Sequence, residues 1–115
     1  MHGWIGVDLD GTLAVYDGWK HETHIGEPIG AMAFRVKKWL ADGVDVRIFT
    51  ARVGPAGRAG LTADEVRSCI QDWTEKHFGV RLPVTNMKDF GMVELWDDRA
   101  VQVEPNTGRR MDGKS

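Results

Sequence analysis

The sequence holds a single cysteine, Cys69, in 115 residues, so no disulfide can form within the chain and nothing calls for an oxidising compartment. Neither charge is in excess. The 15 Lys and Arg stand against 17 Asp and Glu, a formal net charge of −2, which removes the broad basic field of a general nucleic-acid or membrane-surface binder. No apolar run approaches the ~20 residues of a membrane span. The opening Met1-His2-Gly3-Trp4 has neither the basic region nor the apolar stretch of a secretory leader. The expectation is a cytoplasmic protein with no membrane partner. Repeats and low-complexity blocks are also lacking, and nothing selects an oligomeric state. What is there, 42% hydrophobic residues with five tryptophans, suffices for one core. A single domain is expected over residues 1–105, followed by a polar, flexible tail at 106–115.

Strand and helix patterns alternate along that domain. Trp4 to Leu9 is a short apolar run that stops at Asp10-Gly11-Thr12, the pattern of a buried strand ending in a turn. Residues 13–27 are irregular and read as a flap or small hairpin. Pro28 suits a first helical turn, and Ile29, Met32, Ala33, Val36, Trp39 and Leu40 recur at three- and four-residue steps on one helix face, with Gly43 as its stop. Val44 to Thr50 alternates and is β-branched, a second strand. Residues 51–61 are a glycine-rich loop. Thr62-Ala63-Asp64-Glu65 is a capping box, opening a helix whose face holds Val66, Cys69, Ile70, Trp73 and His77 and which Gly79 ends. Leu82 to Thr85 and Val93 to Trp96 read as the third and fourth strands, and Ala100 to Val103 as a further one. Parallel strands joined by crossover helices predict a three-layer, Rossmann-like α/β domain with a mainly parallel sheet.

In such sheets the working residues gather beyond the carboxyl ends of the strands. Asp8 and Asp10 end the first strand, Thr50 the second, Lys88 follows the third, and Asp97 and Asp98 follow the fourth. Singly each has an ordinary structural use: a turn, a cap, a solvated lysine. Together, carboxylates converging on one rim repel unless a cation lies among them. An oxygen-only donor set favours a hard ion, Mg²⁺ first. A carboxylate is ionised at neutral pH without help and can serve as a nucleophile, while a lysine and a hydroxyl can hold phosphoryl oxygens.

Asp8-Leu9-Asp10-Gly11-Thr12, Ile48-Phe49-Thr50, Lys88 and Asp97-Asp98 resemble, in order, the four motifs of the haloacid dehalogenase superfamily, from about Trp4 to Val103. The resemblance implies Mg²⁺ as cofactor and an aspartyl-phosphate intermediate. Asp8 would be nucleophile and metal ligand, and Asp10 the acid/base, binding metal through its backbone carbonyl. Thr50 and Lys88 would hold the phosphoryl group, and Asp98 would ligate metal with Asp97 as its support. An Asp at position 10 favours phosphatase chemistry. Residues 13–27 and 88–92 leave no room for a substantial cap domain, so the expected site is open, for a phosphorylated small molecule or a nucleotide or nucleic-acid end. Arg52, two residues after Thr50, is placed like the basic residue in the phosphatase half of phage polynucleotide kinases and is a candidate for binding substrate; Arg58 reads as solvated.

Other residues have plainer expectations. His21 and His24 are surface or substrate-contact residues, Cys69 a core thiol, and Trp19 a substrate contact. Arg99 is expected to anchor the acidic cluster. Two rivals to the phosphohydrolase remain at this stage. One is a receiver-type phospho-acceptor domain, which would carry its acceptor Asp after the third strand, where Thr85-Asn86 stands. The other is a non-catalytic binding protein on the same fold.

Overall fold

The computed structural model describes residues 3–21, 23–54 and 61–114. Its first strand, β1 (Trp4–Asp8), is central to a four-stranded, wholly parallel sheet of order β3-β2-β1-β4. The other strands are β2 (Asp45–Phe49), β3 (Val84–Thr85) and β4 (Met92–Trp96). Helix α1 (Gly30–Ala41) joins β1 to β2, and α2 (Ala63–Phe78) joins β2 to β3. One turn of 3₁₀ helix, Ala51–Val53, follows β2.

The register pairs Ile5 with Val46, Val7 with Ile48 and Ile48 with Val84, so these side chains share one face. Met32 and Val36 of α1 and Val66 and Ile70 of α2 bury against that same face, making a single core. The reason lies in the strand order. From β1 through β2 to β3 the chain steps the same way across the sheet, and two crossovers of one hand put both helices on one side. A helix on the other side would need a crossover in the opposite direction. That crossover, from β3 to β4, is only residues 86–91, too short to carry a helix. The described residues therefore form two layers, and a third is not among them. On the second face Trp4 is covered by the Arg47 guanidinium, 4.7 Å from its ring, and donates its indole N–H to Asp89 (2.8 Å). Val93, Leu95 and Phe90 remain exposed.

The expected ends of α2 are present. Thr62 and Glu65 make both bonds of the capping box, and Gly79 closes the helix in the left-handed conformation. Three other expectations differ. Pro28 is not in the first turn of α1. It bridges Ala14 instead, with Ile29 at the N-cap position and its amide bonded to the Leu13 carbonyl (2.7 Å), so the two ends of the 13–27 flap are tied together. The third strand shrinks to Val84–Thr85 beside the Pro83 carbonyl, which accepts from Ile48. No fifth strand forms over Ala100–Val103 among the described residues. Val103 pairs with Arg110, and Met111 donates to the Gln102 carbonyl (2.8 Å), so residues read as a tail close a hairpin.

Thr74 has no exposed surface and is a polar residue the helix pattern alone does not single out. Its hydroxyl donates its one proton to the Gln71 or the Val80 carbonyl and accepts from the Leu82 amide (3.0 Å), stitching the end of α2 to the approach to β3. Thr74→Val keeps the shape but strands the buried Leu82 N–H. It should lower unfolding free energy by about 1–3 kcal/mol in a denaturant titration.

Candidate active site

The sheet order reverses at β1: the chain leaves it on one side for β2, and β4 docks on the other. The crevice at such a reversal, beyond the carboxyl ends, is where an open α/β sheet offers a site. Asp8 is the last residue of β1, and Asp97 and Asp98 come directly after β4. One carboxylate oxygen from each of Asp8, Asp97 and Asp98 lies within 4.8 Å of the others.

The turn after β1 makes this approach possible. The Leu9 carbonyl accepts from Leu13 (3.0 Å) and Ala14 (2.8 Å), and Leu9, Leu13 and Ala14 are fully buried, so the turn is pinned to the core. Gly11 has φ +90°, and a Cβ there would lie 2.6 Å from Asp98 Oδ2. Only glycine permits both the backbone angle and the close passage of Asp98. Thr12 is thereby turned back over the cluster. Its hydroxyl accepts from the Asp98 amide (2.9 Å) and lies 3.0 Å from Asp98 Oδ1 and 3.4 Å from Asp8 Oδ2, donating its one proton to either carboxylate. Gly11→Ala should displace Asp98; if the three carboxylates hold a divalent cation, its affinity in a calorimetric titration should fall by roughly tenfold or more, the scale of losses when a ligand's support is altered.

The electrostatics of the cluster are one-sided. Burial first, then the charge of Asp97, a hydrogen bond with Asp98 and the charges of Asp98 and Asp10, push the Asp8 carboxyl up from 3.8 to about 7. Three close carboxylates with oxygen donors only, one of them held half-protonated near neutrality, fit a hard divalent cation and would be relieved by it. Asp97 also accepts from the Arg99 amide (2.7 Å). The expected anchoring by the Arg99 charge is not found among the described residues: its guanidinium forms no ion pair with the cluster, and the contact is a backbone amide bond that any residue could make.

Asp10 is not one of the three clustered carboxylates. Its carboxylate takes a bidentate pair of bonds from Arg52, Nε to Oδ2 and Nη2 to Oδ1, both 2.8 Å. The Arg52 side chain is only 6% exposed. It also donates to the His24 carbonyl (2.8 Å), and Trp19 lies 5.0 Å from its guanidinium carbon. Arg52, expected to reach substrate, is thus joined to Asp10 and to the flap, and Trp19 stacks on it. The flap is tethered on its other side by the Trp73 indole, which donates to the Gly26 carbonyl (3.1 Å), and by Cys69, whose thiol faces the Thr23 carbonyl (3.6 Å).

Thr50 is buried at the end of β2, and its hydroxyl accepts from the Arg52 amide (3.2 Å). Its own O–H is unused among the described residues and remains available to a phosphoryl oxygen. Lys88 is exposed on the 86–91 link and joins no ion pair among the described residues. Its neighbour Asp89 is fastened to Trp4, at the start of β1. The structure thus unites Asp8, Asp97 and Asp98, sets Asp10, Arg52 and Thr50 beside one another, and leaves Lys88 outside both groups. His21 and His24 are exposed, their rings 5.8 Å apart. Glu22 and Arg58 lie outside the described residues.

No family model, curated protein or solved structure matches the chain.

Sequence reasoning missed the bridging role of Thr12 and the Asp10–Arg52 pair. Thr12 was visible as part of the DxDGT string; nothing local signals that residues 10 and 52 meet. A further pattern, Gly108 to Ser115, spells G-x-x-x-x-G-K-S, that of a phosphate-cradling loop. Such a loop works between a strand and a helix. Here Gly108 to Met111 belong to the 102–111 hairpin instead, and Ser115 is outside the described residues.

Proposed function

We propose that the chain is an Mg²⁺-dependent phosphohydrolase of the haloacid dehalogenase type, working through an aspartyl-phosphate on a reduced Rossmann-like sheet, with no cap domain among the described residues. The carrying observation is the approach of Asp8, Asp97 and Asp98 to within 4.8 Å at the reversal of strand order. These residues would hold the cation. When bound, it supplies positive charge that screens the carboxylates from an anionic phosphate and offsets charge building on the transferring group.

The chain's own groups then act in two steps. An Asp8 oxygen attacks phosphorus opposite the leaving oxygen; the carboxylate O–P bond forms, the ester P–O bond breaks, and Asp10 delivers a proton to the leaving oxygen. Water next attacks the same phosphorus. Asp10 takes its proton, the Asp8 O–P bond breaks, and inorganic phosphate leaves with both side chains restored. Thr50, with its unused O–H at the end of the strand next to β1, donates to a phosphoryl oxygen. Lys88 would join it only if the 86–91 link moves. The absence of a cap among the described residues suits a bulky phosphomonoester, including a nucleotide or a nucleic-acid end.

The test is phosphate release with Mg²⁺ from an aryl phosphate, a sugar phosphate, a nucleoside monophosphate and an oligonucleotide carrying a terminal phosphate. Turnover of at least one is expected, and its removal by a chelator. No release from any of the four contradicts the reading. No observation favours the receiver-type reading, since β3 is a two-residue edge strand followed by Asn86.

A further inference from the structure

Two features of Arg52 go beyond substrate binding. First, both Asp10 oxygens already accept a hydrogen bond from it, at 2.8 Å each. That pair occupies one lone pair on each oxygen and fixes the plane of the carboxyl, so the remaining lone pairs, through which a proton is taken up or given back, point in set directions. Second, the guanidinium is also held by the flap: the same Nη2 that donates to Asp10 Oδ1 donates to the His24 carbonyl at 2.8 Å, and the Trp19 ring lies 5.0 Å from the guanidinium carbon. The side chain is almost wholly buried between them. A planar fork with five donors suits this double engagement, and a lysine cannot reproduce it.

We infer that Arg52 is a positioning residue for Asp10: the flap holds its guanidinium, and the guanidinium aims the Asp10 carboxyl at the leaving oxygen in the first step and at the attacking water in the second. This rests on the phosphohydrolase reading given above. Trp19 and His24 thereby contribute to both proton transfers without touching phosphorus.

The experiment compares wild type, Arg52→Lys and Trp19→Leu with Mg²⁺ and whichever phosphomonoester wild type turns over. Steady-state rates are measured together with the fraction of enzyme carrying an acid-stable phosphoryl adduct after quenching. Slowing of both proton transfers gives a kcat lower by ~10–100-fold for Arg52→Lys, on the scale of a general acid and base left unaimed. KM and the adduct fraction should change little, because formation and breakdown of the adduct slow together. Trp19→Leu should lower kcat by a smaller factor. Because either variant can disturb folding, amide hydrogen exchange is followed in the metal-free proteins. Exchange should quicken in residues 15–27 and stay unchanged in β1 and β2. A raised KM with unchanged kcat would mean that Arg52 grips the substrate phosphate, and overturns the inference while leaving the phosphohydrolase intact. Unchanged flap exchange overturns the tether. Absence of turnover by wild type brings down the phosphohydrolase reading and this inference with it.

Discussion

Replacing Asp8 with Asn should lower Mg²⁺-dependent phosphate release by ~10³-fold or more, the scale on which removal of a covalent nucleophile is felt. The same change should raise the melting temperature of the metal-free protein at pH 8. The two effects have one origin. Asp8 is partly buried at the end of β1 with Asp97 and Asp98 beside it, and the protein pays for keeping that carboxylate ionised. An amide keeps the shape and the hydrogen bond with Thr12 while removing the charge. A group that costs stability yet is fixed by a pinned turn, a glycine with no space for a side chain and a bridging hydroxyl is a candidate for a functional role. Phosphate release by Asp8→Asn at a rate near wild type would remove Asp8 from its proposed role. A melting temperature lower than wild type in metal-free buffer would contradict the electrostatic account.

The second large effect joins pH to the metal. The folded-state value of Asp8, about 7, is above its ordinary value of 3.8. The folded protein therefore binds that proton more tightly than the unfolded chain. This contribution to stability is fully present below about pH 4 and is lost as pH rises through about 7. Without metal, wild type should lose roughly 5 °C or more in melting temperature between pH 5 and pH 8 relative to Asp8→Asn, which lacks the titrating group. Mg²⁺ reverses the trend, because it favours the ionised carboxylate: the stabilisation it gives should be larger at pH 8 than at pH 5. Binding at pH 6 should release protons, detectable as a dependence of the calorimetric heat on buffer. A pH profile parallel to that of Asp8→Asn, or a Mg²⁺ effect equal at both pH values, would contradict the assignment.

Much of the framework was legible because its signals are local. The alternation in Val44 to Thr50, the three- and four-residue spacing of Met32, Ala33 and Val36, and the Thr62–Glu65 box each depend on neighbours within one or two turns. Strand ends rich in Asp could likewise be placed on one rim as soon as the strands were taken as parallel. Three features were not legible. Pro28 fits a helix start equally well as a bridge to Ala14, and the choice is made by closure of the flap, a tertiary contact. The two-layer arrangement follows from the strand order together with the short 86–91 link; the link was visible between the expected third and fourth strands, but the order is a tertiary fact that strand spacing does not reveal. The Asp10–Arg52 pair spans 42 positions, and a basic residue near Thr50 reads equally as a phosphate ligand or as a partner for an acid.

The central claim is that Asp8, within its cluster of carboxylates, is the atom-bearing group that takes up the phosphoryl. It is tested most directly by quenching the wild-type protein in acid during turnover with Mg²⁺ and a phosphomonoester, then locating the phosphoryl group by peptide mass spectrometry. The account predicts the adduct on Asp8, absent when Mg²⁺ is withheld. Turnover with the adduct on another residue, or with none at any quench time, would contradict it.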